Sequence, residues 1–164
     1  IVDLISGDKE LEVGEPGEIR VKGGHVTNSY FNSKAETEAA FRNGWLYTGD
    51  IGYRDKDGFI YIVDRAKDMV IVSGFNVFPR EIDEVLMMHP QIKEAASIGI
   101  PDADKGEVVI AFVSLSEGSD ITSGQIRDFC RENLVGYKVP QNIKFIKELP
   151  KTPVGKIDKN KLRQ

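Results

Sequence analysis

Four stretches of this chain carry residue types whose spacing suits them to chemistry. Lys156 closes the run Pro150-Lys151-Thr152-Pro153-Val154-Gly155-Lys156, a loop that cannot be helical because of its prolines. A lysine presented on an ordered loop can neutralise the charge that develops as a carboxylate attacks a phosphate; the other reading is a solvated charge in a basic tail. Thr48-Gly49-Asp50 reads as a tight turn whose carboxylate can accept two hydrogen bonds from vicinal hydroxyls, although the same tripeptide also makes ordinary Asx-type turns. Arg65 follows after a hairpin, and its rigid fork of donors suits ribose or phosphate oxygens as well as it suits a surface ion pair. Ser73-Gly74-Phe75 interrupts an apolar run, where a glycine permits either a bulge or a close approach of backbone to a bound molecule.

Other reactive side chains lack partners at useful spacing. Cys130 falls on the apolar face of a predicted helix with no histidine nearby in sequence, which reads as core. His25 and His89 have no spacing that builds a dyad, and no metal-ligand cluster occurs.

The elements that must position the candidates follow from periodicity. Residues 1–17 are polar and glycine-rich and end in the turn Gly14-Glu15-Pro16-Gly17. Ile19 and Val21 alternate with charged residues as a half-buried strand. Ser33 or Asn32 caps a helix over 34–41 that Gly44 closes. Residues 51–54 and 59–63 form two strands around Lys56-Asp57-Gly58, a hairpin signal. Residues 69–72 form a buried strand, and Pro79 suits the first turn of a helix with Glu81, Asp83 and Glu84 at its positive end. Ile82, Val85, Leu86 and His89 share one helical face. Residues 95–100 and 108–115 are buried strands joined by a polar loop, and a helix begins at Thr122 or Ser123. A short strand over 143–146 and a terminal helix over 158–162 complete the chain. This pattern predicts an α+β fold: a β-rich segment over 1–64, then a small mixed sheet with helices over 65–164.

Charge supports the same division. Residues 1–64 carry 7 Lys and Arg against 12 Asp and Glu, and residues 65–164 carry 15 against 14, so the net charge changes from −5 to +1 across Asp64/Arg65. Nothing is basic enough for a nucleic-acid partner. The single cysteine excludes an internal disulfide. The first residue is Ile1 rather than methionine, which points to a piece of a longer protein.

The segment Asp64-Arg65-Ala66-Lys67-Asp68 through Ser73-Gly74-Phe75-Asn76-Val77-Phe78-Pro79, with Thr48-Gly49-Asp50, Gly136-Tyr137-Lys138-Val139-Pro140 and the Lys156 loop, resembles the adenylate-forming (AMP-binding) enzymes. Its wording is most like bacterial long-chain fatty acyl-CoA synthetases. The resemblance implies an ATP-dependent ligase that adenylates a carboxylate and then forms a thioester with coenzyme A. It implies that 1–64 end a large AMP-binding domain and that 65–164 are its mobile C-terminal domain. It places Asp50 and Arg65 on the ribose of ATP, Gly74 beside the pantetheine arm of coenzyme A, Lys67 at the hinge, and Lys156 between carboxylate and ATP. Ile71 stands where some relatives carry a lysine. The family's phosphate loop and its adenine and magnesium motif lie upstream in relatives and are not in this sequence, so the Mg2+ site is expected outside this chain, and this chain alone is expected to be inactive. The implied partners are a fatty acid, ATP, coenzyme A and the N-terminal domain. A cytoplasmic enzyme, with peripheral membrane association and a homodimer as further expectations, completes the picture. A peptide-synthetase-type adenylation domain and a non-catalytic nucleotide-binding or docking module stand as alternatives. Only 157–164 follow Lys156, with no carrier motif, which favours coenzyme A as the thiol.

Overall fold

The computed structural model describes all of residues 1–164, and its contacts divide it into two compact units, Ile1–Lys67 and Asp68–Gln164. The fold is α+β with two small sheets. No helix is long and apolar enough to cross a membrane.

The first unit contains β1 (Gly17–Val21), α1 (Lys34–Ala40), β2 (Phe41–Arg42), β3 (Trp45–Arg54) and β4 (Ile60–Arg65). Every other strand bonds antiparallel to β3: β1 along its length, β2 at its start, β4 along its end. Two sequence expectations fail here. Thr48-Gly49-Asp50 does not turn out of the strand but lies inside β3. The register with β1 slips at this point, since Glu18 pairs with Ile51 and Arg20 with Tyr47. The extra β3 residues form a bulge, and Gly49 at φ +71° supplies the left-handed residue it needs. Gly44 does not close the helix either. The helix ends at Ala40, and Asn43-Gly44 form the two-residue turn between β2 and β3, since Asn-Gly suits a hairpin better than a helix end. Within 1–17, read as turn and loop, Val2 is fully buried and bridges to both Glu10 and Glu18.

The second unit contains β5 (Val70–Val72), β6 (Phe75–Val77), α2 (Pro79–Met87), β7 (Ile92–Asp102), β8 (Gly106–Leu115), α3 (Ser123–Asn133), β9 (Asn142–Phe145) and α4 (Lys159–Leu162). The sheet runs β6-β5-β8-β7, with β9 parallel to β8 on the same edge of β8 as β5, opposite Ile110 to Val113 where β5 pairs only at Gly106. Both sheet faces are buried, so β7 and β8 read as nearly continuous apolar runs. Ala95, Val109, Ala111 and Val113 join Ile82 and Leu86 of α2 and Ile126 and Cys130 of α3 in one core. Ala96 and Ile98 point the other way and pack with Leu149 and Leu162. The helices begin as the sequence predicts. Pro79 opens α2, and Thr122 and Gln125 form a reciprocal capping box for α3. His89, placed on the α2 face by spacing, lies beyond the C-cap Met88 and packs edge-on against Phe129.

Leu86 is fully buried while its neighbour Met87 is 47% exposed. Leu86→Ala should therefore cost about 2–5 kcal/mol of stability, and Met87→Ala within about 0.5 kcal/mol of nothing. Urea unfolding of the two variants measures both; equal losses would contradict the burial described here.

Candidate functional site

Asp50 and Arg65 meet because β3 and β4 pair in a register that sets them directly opposite. Arg65 Nε lies 2.9 Å from Asp50 Oδ1, with the arginine side chain 54% and the aspartate side chain 31% exposed. The bulge aims the carboxylate. The Thr48 hydroxyl donates to the Ile19 carbonyl at 2.8 Å and accepts from the Asp50 amide at 3.1 Å. The Glu18 carboxylate accepts from the Gly49 amide at 3.1 Å. The result is a carboxylate acceptor and guanidinium donors side by side on solvent, an arrangement that suits a pair of adjacent hydroxyls.

Gly74 sits at the tip of a hairpin rather than in a passage built by this chain. Val72 pairs with Phe75, and both intervening residues are left-handed, Ser73 at φ +50° and Gly74 at φ +85°. That is the I′ turn, for which glycine is favoured at the second position. A Cβ at Gly74 would meet nothing within 4 Å, so backbone conformation accounts for the glycine. The sequence reading of strand, glycine turn and helix also missed β6, the return strand of this hairpin.

Beside the hairpin lies a cavity of about 430 Å³ whose walls include Ser73, Lys105, Arg127, Arg131, Tyr137 and Gln141. Tyr137 stacks on Phe75 with ring centroids 4.6 Å apart. Lys138, ion-paired to Glu81 of α2 at 2.6 Å, pins the turn that carries Tyr137. Arg127 and Arg131 stand one helical turn apart on α3; Arg131 pairs with Asp128, while Arg127 Nε is buried with no hydrogen-bond partner in the protein. Three cations and a tyrosine ring, itself stacked on Phe75, around one concavity suit a polyanionic, ring-bearing ligand. Sequence reasoning left these residues without a role. The four-residue spacing of Arg127 and Arg131 was the available signal, but Lys105 and Tyr137 reach the cavity only through the tertiary fold.

Lys156 is exposed at the end of a closed hairpin. Lys151 bridges Ile157, and the Thr152 amide donates to the Lys156 carbonyl at 2.7 Å. The Gly155 amide donates to the Thr152 carbonyl at 2.9 Å, with Pro153 as the second residue of that turn. Ile157 and Leu162 pack against the face formed by Ala96, Ile98 and Leu149. The hairpin is not among the walls of the cavity beside Gly74, so these two candidates occupy different places in the second unit. Lys67 is exposed in the 3₁₀ turn Ala66–Asp68 and is the last residue of the first unit.

Other titratable groups sort themselves by burial. Cys130 is fully buried, and burial pushes its thiol up to about 11, so it is no nucleophile. No group of three or more His, Cys, Asp or Glu side chains could hold a metal ion. Asp83 of α2 carries a signal the sequence did not give. Burial pushes its carboxyl up to about 6, against the lowering influence of the Lys159 ammonium and of Ser97.

Comparisons with known proteins agree on one family. The model described as AMP-binding enzyme C-terminal domain matches residues 81–156. A long-chain-fatty-acid–CoA ligase from Escherichia coli O6:H1 is 47% identical over 156 residues, covering 95% of this chain and 28% of its own length. A 2-succinylbenzoate–CoA ligase from a Geobacillus species is 45% identical over 150 residues, covering 92% of this chain and 30% of its own length. The solved O-succinylbenzoate coenzyme A synthetase from Bacillus subtilis, in complex with ATP and magnesium ion, matches with a TM-score of 0.86 and 40% identity, over 96% of this chain and 32% of that one. This chain thus spans less than a third of the length of the proteins it matches.

The raised Asp83 carboxyl has a consequence for stability. The folded group titrates at about 6 and the unfolded one near 3.8. Between those values the folded state holds a proton that the unfolded state has released, so this group's contribution falls as pH rises through the window. Asp83→Asn removes the titration. The difference in unfolding free energy between the parent chain and Asp83→Asn should drift by at most about 3 kcal/mol between about pH 4 and about pH 7. A difference that stays constant with pH would contradict the buried-carboxyl assignment.

Proposed function

We propose, from the match of residues 81–156 to the AMP-binding enzyme C-terminal domain, that the enzyme to which this chain contributes is an AMP-forming acid–thiol ligase, an acyl-CoA synthetase. A carboxylate attacks the α-phosphate of ATP and expels pyrophosphate; the thiol of coenzyme A then attacks the acyl-adenylate and releases AMP. A fatty acid is the carboxylate we infer, supported by the long-chain ligase relatives; the 2-succinylbenzoate ligase among them makes a bulkier aromatic acid the competing substrate.

Within this reading, the Asp50 carboxylate accepts from the ribose hydroxyls while Arg65 holds that carboxylate at 2.9 Å and donates to the same sugar. Lys156 supplies a cation to the oxygens of the reacting carboxylate and phosphate, where charge builds in the transition state. Its hairpin is closed by backbone hydrogen bonds, so little reorganisation is needed. Lys67 is the hinge between the two units, which we take as the end of the large domain and the mobile domain. Magnesium would neutralise the triphosphate from residues outside this chain.

The observation that favours coenzyme A over a carrier protein is the cavity next to the Gly74 hairpin. Coenzyme A carries phosphates and an adenine at one end of its pantetheine arm. The Lys105, Arg127 and Arg131 cations and the Tyr137–Phe75 stack match that chemistry. A carrier protein would need a docking surface instead. A binding module without turnover would have no use for the Lys156 hairpin.

The two half-reactions separate these roles in the full-length enzyme. Lys156→Ala should lower ATP–pyrophosphate exchange by about 10²–10³-fold and spare thioester formation from supplied acyl-adenylate. Arg127→Ala should do the reverse, raising the KM for coenzyme A about tenfold, as loss of one charged hydrogen bond does, with exchange intact. Parallel losses in both assays for either variant would overturn its assignment.

A further inference from the structure

Lys159 and Arg163 stand four residues apart, on one face of the helical turn that follows Lys156, and each reaches a different carboxylate. Lys159 Nζ lies 3.3 Å from Asp83 Oδ2 of α2, with both side chains about four-fifths buried at 20% and 18% exposure. Arg163 Nη2 lies 2.8 Å from Asp68 Oδ1, and the Asp68 side chain is only 12% exposed. Asp68 is the first residue of the second unit and the neighbour of Lys67. Asp68 and Arg163 are 95 residues apart in sequence.

We propose that Arg163 and Lys159 are positioning residues for Lys156: together they fasten the hairpin that carries it to the turn before β5, through Asp68, and to α2, through Asp83. The proposal rests on the reading of Lys156 given above. Its physical basis is that α4 cannot hold itself. Four residues are too few for a self-sustaining helix, because a single turn fixes several dihedrals for one hydrogen bond. Asp158 caps it by accepting from the Asn160 amide at 3.2 Å, which satisfies a donor but ties the helix to nothing else. Leu162 buries against Ala96, Ile98 and Leu149, yet an apolar contact of this kind resists displacement without defining orientation. The two ion pairs supply the direction. Lys156 lies three residues before Lys159, so its Cα is at most about 10 Å from the anchored residue, and the intervening Asp158 amide is held by the Pro150 carbonyl at 2.8 Å.

The Asp68 side chain is only 12% exposed, so reversing the charge of its partner also costs stability, and the positioning role is read from which half-reaction falls. In the full-length enzyme, Arg163→Glu should lower ATP–pyrophosphate exchange at least about tenfold and leave thioester formation from supplied acyl-adenylate within about twofold. Arg163→Lys should retain most of the exchange activity, and Asp68→Arg combined with Arg163→Glu should recover at least half of what Arg163→Glu loses. Lys156→Ala, run in parallel, tests the underlying reading: if it leaves exchange intact, the role of Lys156 falls and this inference with it. If Lys156→Ala abolishes exchange while Arg163→Glu does not, or if Arg163→Glu lowers both half-reactions together, the positioning role alone is overturned.

Discussion

The antiparallel ladder between β7 and β8 is the constraint on which the second unit depends. It runs from Ile92 opposite Leu115 to Asp102 opposite Gly106, and its alternate side chains feed two separate cores. One face, through Ala95, Ala111 and Val113, is closed by α2 and α3. The other, through Ala96 and Ile98, is closed by residues 146–164, through Leu149 and Leu162. Because side chains alternate with a period of two, a slip of one residue would exchange the two cores and expose both. What is proposed for the second unit is attached to this ladder at its margins. The Gly74 hairpin joins it where Val72 pairs with Gly106. The Arg127 and Arg131 side chains come from the helix that lies over one face. The Lys156 hairpin is spread on the other.

Electrostatics then act on a frame already set by packing. The chain places carboxylates where they orient cations: Asp50 holds Arg65, Asp68 holds Arg163, Glu81 holds Lys138 and Asp83 holds Lys159. The half-exposed Asp50–Arg65 pair adds little stability in itself, and in the more buried pairs desolvation offsets much of the attraction, so their effect is to choose one arrangement of long, flexible side chains over many. Asp83 shows the cost of going further inward, since burial outweighs the attraction of Lys159 and raises the carboxyl to about 6. Arg127 Nε is the counterpart among donors, buried and without a partner in the protein, an arrangement that an anionic ligand would relieve.

How much of this was legible in the sequence depends on the range of the interaction responsible. Pro79, and Thr122 or Ser123, are local helix-start signals, and the structure opens α2 at Pro79 and caps α3 with Thr122. The paired strands β7 and β8 were visible as apolar runs because both faces are buried. Thr48-Gly49-Asp50 misled because a bulge and a turn use the same residues, and only the partner strand β1 decides between them. Gly44 misled for a similar reason, since Asn43-Gly44 serves a hairpin whose first strand, β2, is two residues long. Ser73-Gly74-Phe75 reads in the sequence as a bulge or as a close approach of backbone to a bound molecule, whereas Ser73 and Gly74 form an I′ turn in which a Cβ at Gly74 would meet nothing in this chain. The basic cavity and the Asp83–Lys159 pair were invisible, because residues separated by 76 positions look like independent surface charges until the tail folds onto the sheet.

In the proposed reading this chain carries one part of an adenylation site: ribose contacts, the Lys156 cation and a thiol-side hairpin, without the loop that holds the triphosphate or the pocket that holds the acid. Catalysis of phosphoryl chemistry is mostly positioning and electrostatics around the phosphates, so that part alone should not turn over. The most direct measurement is ATP–pyrophosphate exchange by this 164-residue chain against a panel of fatty acids and 2-succinylbenzoate, together with its affinity for ATP. No exchange with any acid and a dissociation constant of about millimolar or weaker are expected. Robust exchange by the chain alone would contradict the proposed reading.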